Sequence, residues 1–370
     1  MNRKLRIGII GTRGIPNEYG GFEQFAEIFG KLMSERGHEI TVYCSSAHSF
    51  REKSYHNIQL IHCYDLEPSL GTAGQFVYDL NCILDSRKRN FDIILQLGYT
   101  SSSVWTWLFP RTALLVTNMD GLEWKRTKYS NPVQWFLRHA EGWAAKYSDH
   151  LIADSEAIAA YLHKVYRKPS AYLPYGAKLF HPQPQDVKQL TTLELEARQY
   201  DLMVARFEPE NHVATILDSY ATCGKKLVAV GDHTRTGFGR KLFSIFRHHK
   251  NILFTGGIFN MQLLNILRYH SRLYLHGHSV GGTNPSLLEA MAANALIAAH
   301  GNDFNKSVLK EHAFYFQDEQ QLMSIISQTI DKANYRSWLD ANTKAIKETY
   351  NWETIVAEYE RLFYEWLSAK

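Results

Sequence analysis

Leu5-Arg-Ile-Gly-Ile-Ile-Gly-Thr-Arg-Gly-Ile-Pro-Asn-Glu-Tyr-Gly-Gly-Phe22 decides the fold. Residues 5–10 form a short apolar run of the kind that fills a buried parallel strand. Residues 11–21 are a long loop carrying glycines at positions 11, 14, 20 and 21. Residues 22–36 then show helical periodicity, which stops at Gly37, and residues 39–44 read as a second strand. Strand, crossover helix and strand make a right-handed βαβ unit. Further strands are expected at 58–62, 93–97, 113–117 and 151–153, with helices between them, which gives a doubly wound α/β domain. The pattern then restarts. Strands are expected at 201–205, 226–230, 251–254, 272–276 and 295–299, and helices at 211–220, 261–269, 335–350 and 352–368. The chain thus reads as two Rossmann-like domains, 1–179 and 180–351. The helix 352–370 returns to the first domain, and a linker lies at His181-Pro-Gln-Pro-Gln-Asp186.

Composition sets the bounds. The chain has 370 residues, 45% hydrophobic and 21% charged, which is enough for two buried cores and too apolar for disorder. The formal charge is +4, too small to point to nucleic acid. The excess lies in residues 1–180, with 21 Lys/Arg against 17 Asp/Glu. Cys44, Cys63, Cys82 and Cys223 stand far apart, without zinc or disulfide spacing, so a reducing cytoplasmic compartment is expected. The basic start lacks the apolar core of a signal peptide, and no stretch is long enough to span a membrane.

The chemistry concentrates in His278-Ser-Val-Gly-Gly-Thr-Asn-Pro-Ser-Leu-Leu-Glu-Ala-Met-Ala292. A glycine-rich turn running into an apolar helix leaves unpaired N–H groups at the helix start, where a phosphate binds. Asn284, Pro285 and Ser286 form that start, and Glu289 lies deep enough to reach a sugar hydroxyl. The alternative is a tight loop with a buried, satisfied glutamate. Arg206 follows the strand 201–205 and has the geometry to hold a diphosphate, or to pair with Glu208 or Glu210. Gly231 ends the next strand. Gly20 and Gly21 read as a close-approach loop, or as a long turn. Asp120, in Val116-Thr-Asn-Met-Asp-Gly-Leu-Glu-Trp-Lys-Arg126, follows a strand at the end where open sheets bind ligands. It can orient a sugar hydroxyl or serve a turn. Glu123 sits in the same run. Asp154 and Ser155 read chiefly as a helix cap, and Tyr175 as cleft-lining or a turn. An NAD site fits poorly, because Gly8, Gly11 and Gly14 have the wrong spacing and Cys44-Ser45-Ser46 offers no ribose-binding acid. His276 and His278 lack the partners of a zinc site, and His278 reads as a pocket-lining imidazole. Trp105, Trp107, Trp124, Trp135 and Trp143 crowd together with Arg111, Lys125, Arg126, Lys128 and Arg138, a composition suited to an anionic membrane surface.

These segments resemble the retaining GT-B glycosyltransferases of family 4, and within it a bacterial branch typified by β-1,4-L-rhamnosyltransferases. The matching runs also include Tyr175-Gly-Ala177 and Arg206-Phe-Glu-Pro-Glu-Asn-His212, and together they span nearly the whole chain. The resemblance implies two domains facing a cleft, a nucleotide-sugar donor held by the second, an acceptor held by the first, retention of configuration and no metal or other cofactor. It implies that Arg206 binds the diphosphate, that Asn284, Pro285 and Ser286 present the helix start, and that Glu289 binds the ribose. Gly20 and Gly21 would approach the donor, and Asp120 the sugar or acceptor. It implies dTDP-L-rhamnose as donor and a polyprenyl-diphosphate-linked saccharide as acceptor, met at the inner membrane surface. There are departures. A usual glutamate falls on Gly281, a usual lysine on Asn211 and a usual histidine on Asp120. They are consistent with a deoxysugar donor. A UDP- or GDP-hexose transferase, a nucleotide-sugar epimerase and an inactive partner subunit remain as other readings.

Overall fold

The computed structural model describes residues 3–370. The chain divides into two compact units. The first comprises Met1–Trp124, Ser130–Tyr175 and Trp352–Lys370, and the second Lys125–Tyr129 and Gly176–Asn351.

The first unit is built on eight strands: β1 (Arg6–Ile10), β2 (Glu39–Ser45), β3 (Ser54–Tyr55), β4 (Ile58–Cys63), β5 (Ile93–Leu97), β6 (Leu114–Asn118), β7 (His150–Ala153) and β8 (Ser170–Tyr172). Their order is β3-β4-β2-β1-β5-β6-β7-β8. The short β3 pairs antiparallel with β4, and the other pairs are parallel. Every residue of β5 and β6 is buried, as expected of strands covered on both faces. The helix Gly21–Glu35 turns Phe25, Phe29 and Met33 inward at i, i+4 and i+8. The last helix, Trp352–Ser368, meets the same rings. Trp352 lies 5.8 Å from Phe25, and Tyr359 5.0 Å from Phe29. Burying each such aromatic contributes about 1.5–3 kcal/mol.

The second unit carries six parallel strands: β9 (Asp201–Val204), β10 (Leu227–Val230), β11 (Ile252–Gly256), β12 (Tyr274–His276), β13 (Ile297–His300) and β14 (Phe314–Phe316), in the order β11-β10-β9-β12-β13-β14. Ile216, Leu217, Tyr220, Leu227 and Leu275 form part of its core. In each sheet the first strand lies between its immediate successor and a later strand, β1 between β2 and β5 and β9 between β10 and β12. At such a switch point the flanking connections leave in opposite directions and open a crevice beyond the carboxyl ends.

Some elements differ from the sequence reading. β3, β8 and β14 have two or three residues, too few to show periodicity. The helix expected from 211 starts at Val213, because His212 is left-handed (φ 50°) and closes the 3-10 turn Pro209–Asn211. The helix expected over 335–350 runs Arg336–Glu348, with Tyr335 ending the 3-10 turn Lys332–Tyr335 before it. The proline-rich run at 181–186 lies inside the second unit. There the Gln183 N–H donates to Asp186 Oδ2 at 2.8 Å in a reciprocal cap of the turn Pro184–Asp186, while the division falls at Tyr175/Gly176. Proline and polar residues mark a capped turn as readily as a linker. No helix among the described residues is long and apolar enough to cross a membrane.

Candidate functional site

In the second unit the candidates gather where β9 and β12 end. Arg206 leaves β9 with its side chain 53% exposed, and its Nη2 lies 3.6 Å from Glu208 Oε2. Asn211 is buried, and its Nδ2 donates to the Arg206 carbonyl at 2.8 Å, so it braces the arginine's loop. Glu210 is also buried, and its carbonyl accepts from the Ser279 N–H at 3.0 Å and the Ser279 Oγ at 2.8 Å. That ties the loop after β9 to the loop after β12. Gly277 fits between them because a side chain there would meet the Asn211 carbonyl at 2.2 Å. Gly231, at the end of β10, donates its N–H to the Gly256 carbonyl at 2.9 Å and packs on Ala205.

The helix Pro285–Ala292 starts beside this junction. Asn284 is its N-cap, with Oδ1 accepting from the Ser286 N–H at 2.9 Å, and Pro285 sits at the first turn, where no N–H is needed. The hydroxyls of Ser286 and Tyr274 hydrogen-bond at 2.6 Å. Glu289 bonds the Nη2 of Arg268, a guanidinium only 1% exposed that also donates to Asn265 Oδ1 at 3.1 Å. The glutamate offered for the ribose is thus one half of a buried ion pair.

The imidazole of His278 stacks on that of His276 at 4.4 Å, and His212 stacks on His300 at 4.3 Å. Burial, reinforced by Arg206, Arg126 and His212, drops the His278 pKa to about 3. Burial and His212 drop that of His300 to about 4. Burial, and then the nearness of His278, Arg268 and His300, takes His276 well below its ordinary value. All three rings are neutral near pH 7, so each has one donor and one acceptor nitrogen. Asn302 and Asn305 hold the His278 carbonyl at 2.8 and 3.0 Å. The arrangement brings together an exposed guanidinium, a helix start and neutral imidazoles, groups whose chemistry suits an anion.

In the first unit, Gly20 is the N-cap of Gly21–Glu35, with φ −171°, an extended conformation open to any residue. The glycine pair is therefore not explained by a special dihedral at Gly20. Glycine there leaves room, since the nearest neighbour of an added Cβ would be Glu23 Oε2 at 3.6 Å. The loop's N–H groups turn inward, Arg13 to Glu23 and Asn17 to Glu27, both at 2.8 Å, and Gly20 to Asn17 Oδ1 at 3.1 Å. Asp120 follows β6 in the left-handed region (φ 51°), and its N–H bonds Asn118 Oδ1 at 3.0 Å. Glu123 opens a 3-10 turn, Glu123–Lys125. Tyr175 is buried edge-on to Phe25 at 5.8 Å, and its hydroxyl pKa is raised by burial, then by Asp120 and Asp154. Asp154 is itself buried, and Ser155 provides the helix cap, accepting from the Ile158 N–H at 3.3 Å. Asp120, Asp154 and Tyr175 therefore form one group. Beyond β5, the buried Asp79 accepts from Ser101 Oγ at 2.5 Å. Burial pushes its carboxyl up to about 7 against that bond and the charge of Arg13, with Asp65 and Glu67 adding to the rise.

Sequence reasoning missed Arg268 as a site residue, although it gave a signal. Arg268 falls at i+4 from Leu264 on the helix Met261–His270, a cation on an apolar stripe. It read Arg126 and Lys128 only as part of a basic surface, whereas both belong to the second unit. A groove of about 510 Å³ lined by Lys4, Arg6, His38 and Arg89 lies at the amino ends of β1 and β2, the wrong edge of the sheet for this chemistry.

Residues 4–178 match the model of a domain of unknown function, DUF1972. Over 98% of both chains, the protein is 22% identical to an uncharacterized glycosyltransferase of Methanocaldococcus jannaschii. Its fold is that of sucrose-phosphate synthase of Thermosynechococcus elongatus, at TM-score 0.82 and 15% identity over the full length of both. It also matches the Anabaena protein HepE, solved with UDP-glucose, at TM-score 0.75 and 16% identity over 99% of both. The fold is two Rossmann-like domains of the GT-B type, as in these structures. The class that fold and full-length kinship define is a glycosyl transferase.

Proposed function

We propose that this transferase moves a sugar from a nucleoside-diphosphate donor, bound by its second unit, onto a saccharide hydroxyl presented by its first. The observation that supports the reading is that the loop carrying Arg206 is tied, through Glu210 and Ser279, to the loop that runs into the capped start of Pro285–Ala292, at the switch point of the second sheet. The bond from the anomeric carbon to the diphosphate oxygen breaks while the acceptor oxygen bonds the same face of that carbon, so configuration is retained. The acceptor proton passes to the departing phosphate. Arg206 and the helix N–H groups stabilise the charge growing there, which gives the chain its own means of supporting departure without a metal or other cofactor. Asp120 orients the acceptor hydroxyl or the positively charged sugar, and Glu289 takes the nucleotide's ribose.

The donor that the resemblance implies is dTDP-L-rhamnose, and a UDP-sugar is the second reading, favoured by the UDP-glucose seen with HepE. The acceptor is a saccharide on a polyprenyl diphosphate, reached at the inner membrane surface. The basic and aromatic composition around the helix Asn131–Tyr147 supports that contact, with Trp107 71% and Trp135 65% exposed and Arg138 stacked over Trp124. A thermal-shift screen with dTDP, UDP, GDP and their common sugars tests the donor. Selective stabilisation by dTDP and dTDP-rhamnose is the expected result. A response to UDP- or GDP-sugars alone overturns the rhamnose assignment, and no response to any of them overturns the donor site.

A further inference from the structure

Five charged side chains meet where β9 ends. Lys128 Nζ donates to Glu208 Oε1 at 3.0 Å. The other Glu208 oxygen lies 3.6 Å from Arg206 Nη2 and 3.8 Å from Arg126 Nη1, and Arg126 Nη1 also lies 3.5 Å from Glu210 Oε1. Three cations thus face two carboxylates. Their exposure separates them. The side chains of Arg126 and Glu208 are 11% exposed and that of Glu210 1%, while that of Arg206 is 53% exposed. The carboxylates lie within, and the guanidinium of Arg206 reaches outward.

Placement alone does not make Arg206 an anion receptor. A buried carboxylate two residues along its own loop competes for the same guanidinium. If Glu208 closes on Arg206, the pair is neutral and the crevice loses its charge. What prevents this is the identity of the groups that already hold the carboxylates. Lys128 makes a hydrogen bond of normal length to one Glu208 oxygen, so the carboxylate's charge is already shared, whereas the other oxygen, which carries no hydrogen bond, meets Arg206 only at 3.6 Å, beyond one.

We propose that Lys128 and Arg126 are positioning residues that offset the charge of Glu208 and Glu210 and so keep Arg206 available to the donor diphosphate. Both come from the loop after β6, in the five residues Lys125–Tyr129 that belong to the second unit. This assigns a task to the run Leu122-Glu-Trp-Lys-Arg-Thr-Lys128, which the reaction scheme leaves without one. Charge behaviour agrees. Burial pushes the Glu208 carboxyl up, yet Arg206, Lys128 and Arg126 together hold it below the usual range. Arg126 and Arg206 both act on the ring of His278, so both cations lie close to the loop that leads to the helix start. The inference rests on the reading of Arg206 as a diphosphate ligand.

The test is calorimetric titration of the full chain with UDP and dTDP. Lys128→Met is expected to weaken binding about tenfold, the size of one charge-assisted bond. Lys128→Arg is expected to stay within about twofold of wild type. The deciding variant is Lys128→Met with Glu208→Gln, which removes the competing carboxylate as well and is expected to restore affinity. A purely structural role for Lys128 would lower thermal stability without moving nucleotide affinity, and that result overturns the proposal. So does a double variant as weak as Lys128→Met, since it would mean that Lys128 touches the ligand itself. If folded wild type binds neither nucleotide, the donor reading fails first and this inference falls with it. If wild type binds and Lys128→Met binds equally well, the donor reading stands and only the inference is lost.

Discussion

At the carboxyl end of β9 the loops present Arg206, with Arg126 and Lys128 behind it and a set of imidazoles held neutral. At the carboxyl ends of β6 and β7 in the first unit they present Asp120 and Asp154, with Tyr175 near them, while the loop after β5 brings Ser101 to Asp79 on the helix Gly74–Ser86. The two sheets share a topology, a parallel register and a switch point beside their first strand. What differs is the chemistry grafted onto that frame, which is where function resides. The proposed function assigns the diphosphate to the cationic crevice and the sugar hydroxyls to the carboxylates. The deeper polar contacts follow the same division. In the second unit Glu289 is held by a guanidinium. In the first, the buried Glu141 accepts three hydroxyls, from Tyr161 and Tyr166 at 2.7 Å and Tyr99 at 3.1 Å.

That last contrast gives the largest expected effect. Arg268→Met leaves the Glu289 carboxylate without its buried cation and is expected to destabilise the second unit by about 3–5 kcal/mol. Adding Glu289→Gln should recover much of the loss, because the stranded charge is gone. Glu141→Gln keeps the shape and exchanges charged for neutral hydrogen bonds, so a smaller cost of about 1–3 kcal/mol is expected in the first unit. Hydrogen exchange during denaturant titration, read separately on amides of each unit, measures both. Equal costs would mean that the two buried carboxylates are energetically alike.

Arg206→Ala is next. Loss of a cation that stabilises the departing diphosphate is expected to lower kcat/KM by about 10²–10³-fold. Arg206→Lys should recover only part, since an ammonium lacks the planar fork. Fold stability should stay within about 0.5 kcal/mol, as for an exposed side chain. Unchanged turnover in Arg206→Ala would place the diphosphate elsewhere and remove the functional side of the comparison.

Acidity separates the units with opposite signs. Asp79 keeps its proton in the folded first unit up to about pH 7. The unfolded chain releases it near pH 4, so this residue's contribution falls as pH rises between those values, with a slope of at most about 1.4 kcal/mol per unit. His276, His278 and His300 refuse the proton that an unfolded histidine takes up below about pH 6.5, so their contribution is lost as pH falls through that window. Asp79→Asn is therefore expected to stabilise the first unit at pH 7 relative to pH 4.5 and to leave the second unit's acid sensitivity unchanged. Unit-resolved hydrogen exchange at those two pH values reads it. No difference between wild type and Asp79→Asn would show that Asp79 is ionised in the folded protein.

The frame of this molecule was legible because its signals are local. The residues of β1, β2, β5 and β6 are apolar runs of strand length, and Gly37 marks where the first helix yields to β2. The capped start at Asn284 was legible for the same reason, since cap, proline and apolar run are adjacent. What escaped was long-range. Lys128 and Glu208 are 80 positions apart, and Arg268 and Glu289 are 21 apart. No pattern of spacing pairs such charges before the sheets bring them together. Likewise, nothing in the spacing shows that the buried amide of Asn211, where a lysine is usual, pairs with the Arg206 carbonyl.

The smallest expected effect tests the helix start itself. Asn284 has two duties that its neighbours allow to be separated. As an N-cap it accepts the Ser286 N–H, and Asn284→Ala is expected to cost about 1 kcal/mol of stability in the second unit. Asn284→Asp caps equally well, so stability should stay nearly unchanged, but it sets a negative charge at the mouth of the crevice. If phosphates bind there, Asn284→Asp should weaken UDP and dTDP by more than Asn284→Ala does, and the gap should narrow as salt is raised. Should both variants bind nucleotide as wild type does, the helix start faces no phosphate. The cationic character of the second unit would then rest on Arg206 and the charges that hold it.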